Sequence, residues 1–352
     1  MSKINKGRAT GTNPANRFET IYIEPDEYLA GDEGEERKIP TQFLLDNSKS
    51  ILAGNESPDL PFRYSINPYR GCEHGCIYCY ARPSHEYLGF SSGLDFETKI
   101  MVKENAADLL RKQFSSRAWE PQVVCLSGNT DCYQPVERHL KITRKCLEVF
   151  REHRNPVSII TKNFLITRDA DILADLAQEN LTVVMVSITS LDSDVAKNME
   201  PRTSAPHKRL KAIEELVKNN IPVGVNVAPV IPGLNDEEIP IILKSAKEAG
   251  ALFAGYIMLR LPYQVKGLFT DWIQRTYPLK ANKIINRIKQ VRDGELSCSM
   301  FGQRLRGTGT IAQNIEQLFK TSASRLGLNT EKIDLDTTRF KRSGNKQMDI
   351  FN

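Results

Sequence analysis

The sequence predicts an α/β protein built on a parallel sheet. Short apolar runs recur at 122–126, 157–161, 182–188, 223–230 and 252–259, each the length of a strand buried on both faces. Between them lie segments whose apolar residues follow a helical period. Leu140, Leu147 and Phe150 share one face, as do Leu210, Ile213 and Leu216–Val217. Strands alternating with amphipathic helices are the pattern of repeated βαβ units. With a further strand near 62–66, six such units are expected. The pattern alone does not separate an open sheet from a partial barrel.

Taken in order, residues 1–60 read as an N-terminal extension, partly disordered or draped over the core. It is polar, with Gly, Asn and Pro at 11–15 and an acidic run Asp32–Glu36. Asn13–Phe18 reads as a surface arm, with a small docking segment as the alternative. Residues 61–263 hold the strand–helix repeats. A helix marked by Ile242, Leu243 and Ala246 closes at Gly250, and Pro240 fits only in its first turn. Residues 264–352 leave this rhythm and read as a helical C-terminal segment. Helices are expected at 269–276 and 279–292, broken by Pro278. A glycine-rich basic stretch, Phe301–Gly309, reads as a solvated loop carrying Arg304 and Arg306, with a phosphate or carboxylate clamp as the alternative. A helix follows with Ile311, Ile315, Leu318 and Phe319 on one side, and a basic, mobile tail from Arg339 to Lys346.

Composition narrows the class. With 40% hydrophobic and 26% charged residues over 352 positions, the chain can bury a core without staples. A net charge of +5 admits a polyanionic partner without demanding one. Seven cysteines without paired spacing do not form a secreted disulfide framework. Met1–Arg8 lacks the apolar core of a signal peptide, and the apolar runs near 181–188 and 250–259 are too short to span a bilayer. A reducing cytoplasm, away from membranes, is the expected setting. No P-loop, dinucleotide fingerprint, Ser-His-Asp order or i, i+4 histidine pair stands out.

The chemistry concentrates at 66–83, Ile-Asn-Pro-Tyr-Arg-Gly-Cys-Glu-His-Gly-Cys-Ile-Tyr-Cys-Tyr-Ala-Arg-Pro. Turn residues flank Cys72, Cys76 and Cys79, so the segment wraps and turns three thiols toward one point. Such thiols suit soft metals. A four-iron cluster with one open iron fits, and so does a Cys3His zinc site completed by His74 or His85.

The C-x3-C-x2-C spacing with Tyr78 before the last cysteine resembles the signature of the radical S-adenosylmethionine (SAM) superfamily. Asn67–Cys72 and Cys79–Arg82 resemble its spore photoproduct lyase-related branch, also labelled DNA repair photolyase-like. Thr130–Glu137, Glu200–Arg202 and Ala228–Asp236 agree with that branch and keep its order, over about 60–310. The resemblance implies a partial (β/α)6 TIM-type barrel as the radical SAM core, with ligands at the carboxyl ends of the strands. It implies a [4Fe-4S] cluster on Cys72, Cys76 and Cys79, and SAM on its open iron. It implies a one-electron donor such as flavodoxin or ferredoxin. One electron then cleaves the sulfonium bond, and a 5′-deoxyadenosyl radical takes hydrogen from substrate.

The candidate SAM contacts follow strand ends. Tyr78 packs near the adenine. Ser127, Gly128 and Asn129 meet the amino group, and Lys162, Ser187 and Arg202 are the candidates for the carboxylate. Pro232–Asn235 lets backbone approach the adenosine. Asp131, Gln134 and Glu137 face the substrate or cap the next helix. The branch uses a further cysteine as hydrogen donor. Cys125 and Cys132 are the candidates here, and neither keeps its register, so the chemistry carries over and the substrate does not. Nucleic acid is the expected substrate class, on the branch and the mild basicity. The rivals are a radical SAM enzyme acting on a protein or small molecule, and a zinc-bearing nucleic-acid-binding module without catalysis.

Overall fold

The computed structural model describes residues 8–19 and 39–342. The strands are β1 (Gln42–Leu45), β2 (Leu52–Gly54), β3 (Tyr64–Ile66), β4 (Tyr69–Arg70), β5 (Lys99–Val102), β6 (Val124–Leu126), β7 (Val157–Thr161), β8 (Thr182–Ser187), β9 (Val223–Val230) and β10 (Phe253–Met258). Strands β3, β6, β7, β8, β9 and β10 lie side by side, parallel and in chain order. This is the six-unit succession expected from the apolar runs. Among the described residues β10 pairs only with β9, so the barrel is partial. β2 adds antiparallel to the outer edge of β3. A smaller sheet, ordered β1-β5-β4, stands beside it.

The helices are α1 (Leu94–Thr98), α2 (Ala106–Ser115), α3 (Glu137–Leu140), α4 (Ile142–His153), α5 (Ala170–Gln178), α6 (Ser193–Met199), α7 (Pro206–Lys218), α8 (Ile239–Glu248), α9 (Val265–Thr276), α10 (Ala281–Gln290) and α11 (Gly309–Arg325). The central strands need cover because their side chains are buried; every residue of β6 and of β9 is. Leu147 and Phe150 of α4, Ile213 and Leu216 of α7, and Ile242 and Leu243 of α8 supply the helix side of one core with the strand valines. Pro240 sits in the first turn of α8, where its missing N–H costs nothing. Among the described residues no helix is long and apolar enough to cross a membrane.

Some local expectations need correction. Leu140 does not continue the helix of Leu147, because Lys141 at φ 53° separates α3 from α4. Leu318 faces outward at 38% exposure, since the buried face of α11 runs through Ala312, Ile315, Phe319 and Ala323. Asn13–Phe18 is docked: Asn16 donates to the carbonyls of Glu86 and Phe90, and Asn13 to Asp95. Arg304 is held by Asp59 and Ser57, and Arg306 lies over the Tyr256 ring. The start of the tail is also docked, with Phe340 against Phe114 and Arg342 donating to the Trp119 carbonyl. The acidic run Asp32–Glu36, residues 1–7 and the tail from Ser343 lie outside the described residues.

Candidate active site

The loop after β4 turns on two glycines in the left-handed region, Gly71 at φ 77° and Gly75 at φ 67°. A side chain at Gly75 would also strike Glu97, whose Oε2 lies 2.8 Å from the position a Cβ would take. Arg82, fully buried, holds this loop from behind. It donates to the carbonyls of Cys76 at 3.0 Å and Gly75 at 3.1 Å, and to those of Ser92 and Gly93. Its charge is met by Glu97 at 2.6 Å. Burial raises the Glu97 carboxyl above its usual range, although Arg82 opposes the rise.

A second set of bonds ties the loop to the carboxyl ends of β6 and β7. Gln134 accepts from the Glu73 amide at 2.8 Å and donates to the Gly71 carbonyl at 3.3 Å. The Glu73 carboxylate accepts from the Val136 amide and from Thr41, and pairs with Arg202 at 3.1 Å. Asp131 accepts from Thr161 and from the Lys162 amide, both at 2.8 Å, and faces His74 Nδ1 at 3.4 Å. Burial alone would raise the Asp131 carboxyl; the imidazole and the amides outweigh it and hold it below its usual range. Asn67 accepts from the amides of Asn129 and Thr130, which fixes the turn after β6.

These supports surround a cavity of about 130 Å³. Cys72, Cys76 and Cys79 line it together with Tyr78, Asn129, Lys162 and Ser187, and Ser127 stands on its wall. Four sequence-distant candidates, Ser127, Asn129, Lys162 and Ser187, therefore meet the cysteines at the strand ends. The Ser127 hydroxyl is spent on its own turn: it donates to the Thr130 carbonyl at 2.7 Å and accepts from the Cys132 amide at 3.0 Å. Gly128 packs so closely on Ser65 that a Cβ would lie 2.7 Å from that residue's own, and its carbonyl accepts from Tyr80. Tyr78 donates to Glu200, which also pairs with Arg209. Lys162 lies close enough to Cys76, Cys79 and Glu200 to act on their charge.

Other candidates lie elsewhere. Arg202 lines a neighbouring cavity rather than this one. Cys125 and Cys132 are fully buried in the core and neither lines the cavity; burial pushes the Cys125 thiol up to about 12. Gln134 and Glu137 are buried supports: Glu137 accepts from Tyr69 and from the Thr143 amide and pairs with Arg168.

The donor set fits an iron–sulfur cluster. Burial raises all three loop thiols above their ordinary range, so deprotonation calls for a strong local cation. A cubane gives each thiolate its own iron and a shared cavity. A single zinc needs four ligands converging on one point. Among the described residues no three His, Cys, Asp or Glu side chains converge closely enough to hold one ion. His74 has both ring nitrogens engaged, on Asp131 and Asn163. His85 is packed between Phe90 and Phe96, off the cavity. The Cys3His zinc site is therefore not assembled.

Residues 66–246 match the family model described as the radical SAM superfamily. The chain belongs to the radical SAM superfamily. Its cofactors are those of that superfamily, a [4Fe-4S] cluster and SAM. An uncharacterized protein of Mycobacterium tuberculosis is 36% identical over 234 residues, covering 66% of this chain and 68% of its own. An uncharacterized protein of Methanocaldococcus jannaschii is 27% identical, over 65% of this chain and 86% of its own. Among solved structures, the fold is similar to a spore photoproduct lyase mutant with bound AdoMet and dinucleoside spore photoproduct. That match has a TM-score of 0.58 at 16% identity, covering 84% of this chain and 86% of that one.

The sequence pattern gives no role to Arg82 or Asn67, and Gln134, expected to face the substrate or cap a helix, instead braces the cysteine loop. The signal for Arg82 and Asn67 was position: each stands inside a stretch that carries the resemblance.

Proposed function

We propose that this protein is a radical SAM enzyme that acts on nucleic acid, with its cluster on Cys72, Cys76 and Cys79. The convergence of those cysteines with Lys162, Asn129 and Ser187 on one cavity carries this reading. The bound cofactors supply one-electron cleavage of the sulfonium bond and a 5′-deoxyadenosyl radical that abstracts hydrogen from substrate. The chain's own part is to position and to exclude water. Lys162 holds the SAM carboxylate as a charge-assisted pair. Asn129 and Ser187 present polar atoms to the rest of the amino-acid moiety, and Tyr78 closes the apolar side. Ser127 and Gly128 shape the turn rather than bind, and Arg202 steadies the cysteine loop through Glu73.

The nucleic-acid substrate draws support from the lyase whose fold this chain shares, crystallised with a dinucleoside photoproduct, and from the net charge of +5. A cytoplasmic setting, a small one-electron donor protein and a core between an extension and a C-terminal segment complete the reading. The test is anaerobic reconstitution, reduction with SAM, and an assay for 5′-deoxyadenosine, with Cys76→Ala as control. Cluster-dependent 5′-deoxyadenosine supports the chemistry; a wild-type chain that loads iron and never cleaves SAM refutes it. Lesion-bearing DNA, with steep salt dependence of binding, is the first substrate class to screen.

A further inference from the structure

A second cavity, about 310 Å³, opens on the far side of His74 from the cysteines. That is within the range of about 300–1,000 Å³ typical of small-ligand sites. Arg138, His139 and Arg202 line it with Asn163, Thr203 and Ser204, and no acidic side chain does. The nearby carboxylates are already committed. Glu137 is held by Arg168 and Glu200 by Arg209. Glu73 pairs with Arg202, and also takes the Thr41 hydroxyl and the Val136 amide. Both hydroxyls are committed too: Thr203 donates to the Glu200 carbonyl, and Ser204 to Asn163. Arg138 and His139 are exposed and have no ion-pair partner among the described residues.

We propose that this cavity is a phosphate-binding site, with Arg138 and Arg202 as its cations and the exposed His139 imidazole as a further donor. An arginine fork suits a phosphate better than a lone ammonium does, and the absence of acidic lining favours an anion over a cation. The site also touches the radical chemistry. Asn163, on its wall, bonds His74 Nε2 at 3.0 Å, and His74 Nδ1 faces Asp131 in the cysteine cavity. The Arg202 amide donates to the His74 carbonyl. A phosphate seated here is thus one residue removed from the cysteine loop, as the phosphate of a bound nucleotide would be. That it belongs to a nucleic-acid substrate rests on the function proposed above; the pocket's affinity for phosphate does not.

Isothermal titration of the cluster-loaded protein tests this without turnover. The probes are inorganic phosphate, a 5′-phosphorylated dinucleotide and the same dinucleotide lacking that phosphate. Saturable phosphate binding is expected, weakened about tenfold by Arg138→Ala and by His139→Ala, and partly restored by Arg138→Lys. Preference for the phosphorylated dinucleotide assigns the phosphate to a nucleotide ligand; equal binding of the two dinucleotides, with inorganic phosphate still bound, makes the site one for free phosphate. Both alanine variants keep wild-type 5′-deoxyadenosine formation from SAM alone, since neither residue lines the cysteine cavity. Wild-type protein that takes up no phosphate, or alanine variants that bind it as tightly as wild type, overturns the assignment.

Discussion

Replacing Arg82 with methionine isolates what holds the cysteine loop. The side chain is fully buried and makes five hydrogen bonds, four to backbone carbonyls and one to Glu97. Two of those carbonyls belong to Gly75 and Cys76, within the loop itself. Methionine fills much of the volume but strands the Glu97 carboxylate in a fully buried place. Breaking a buried pair in this way costs about 3–5 kcal/mol. Native domains have about 5–15 kcal/mol in total, so the loop is expected to lose order while the rest of the fold persists. The assay is iron and sulfide per chain after anaerobic reconstitution, with denaturant midpoints, for wild type, Arg82→Met, Glu97→Gln and the double variant. Arg82→Met is expected to lose most of its iron. The double variant should be more stable than Arg82→Met alone by at least about 1 kcal/mol, because the stranded charge is gone. If Arg82→Met binds iron like wild type and loses under about 1 kcal/mol, Arg82 does not hold the loop as argued.

Other expectations follow from single contacts. Gly75→Ala adds a Cβ 2.8 Å from Glu97 Oε2 at φ 67°, and should cost about 1–3 kcal/mol with reduced iron loading, read from melting and iron content. Lys162→Ala should raise KM for SAM roughly ten- to hundredfold, as loss of a charge-assisted bond implies, with Lys162→Arg recovering part; an unchanged KM removes Lys162 from the carboxylate. Burial holds the His85 imidazole down to about 4, against 6.5 in the unfolded chain. The unfolded state therefore gains its proton first as pH falls, so stability present above pH 6.5 is lost toward pH 4, by up to about 3 kcal/mol. His85→Leu should flatten that part of a pH–stability profile. Cys125→Ala and Cys132→Ala should each keep cluster loading and 5′-deoxyadenosine formation, since neither thiol lines the cavity; loss of SAM cleavage in a well-folded variant would contradict that placement.

The strands and the cysteine loop were legible in the sequence for a physical reason. A parallel strand covered on both faces must be apolar throughout, as the fully buried β9 is, and its polar neighbours then mark the strand end. Lys162 and Ser187 were placed at the cavity that way. The supports were not, because their partners are remote: Gln134 meets Glu73 across 61 positions and Asn163 meets His74 across 89. No local period encodes such a bond. Leu318 was misplaced for the opposite reason, because an apolar residue three positions from Ile315 fits a helical period yet falls just off the buried stripe of α11. Docking of Asn13–Phe18 was the weaker of two readings because it rests on an amide side chain meeting backbone carbonyls, which leaves no apolar signature.

Charge explains why so many polar residues gather behind the cysteines. Arg82–Glu97 and Arg209–Glu200 are buried pairs that neutralise themselves, and Asp131 is met by His74 and by backbone amides. Each fixes a backbone carbonyl, an amide or a turn, and leaves little net charge facing the cavity. Lys162 is the one lysine or arginine lining that cavity, and among the described residues no carboxylate pairs with it. A site that had to hold thiolates alone would gain from more cations beside them. One spare ammonium, beside three thiols whose charge irons would offset, instead suits a further anionic group of about the charge of one carboxylate. The same division of labour separates the two cavities. The smaller is shaped by self-neutralising pairs around one lysine, and the larger keeps two exposed side chains, Arg138 and His139, with no ion-pair partner among the described residues, and Asn163 and His74 lie between them and the cysteines.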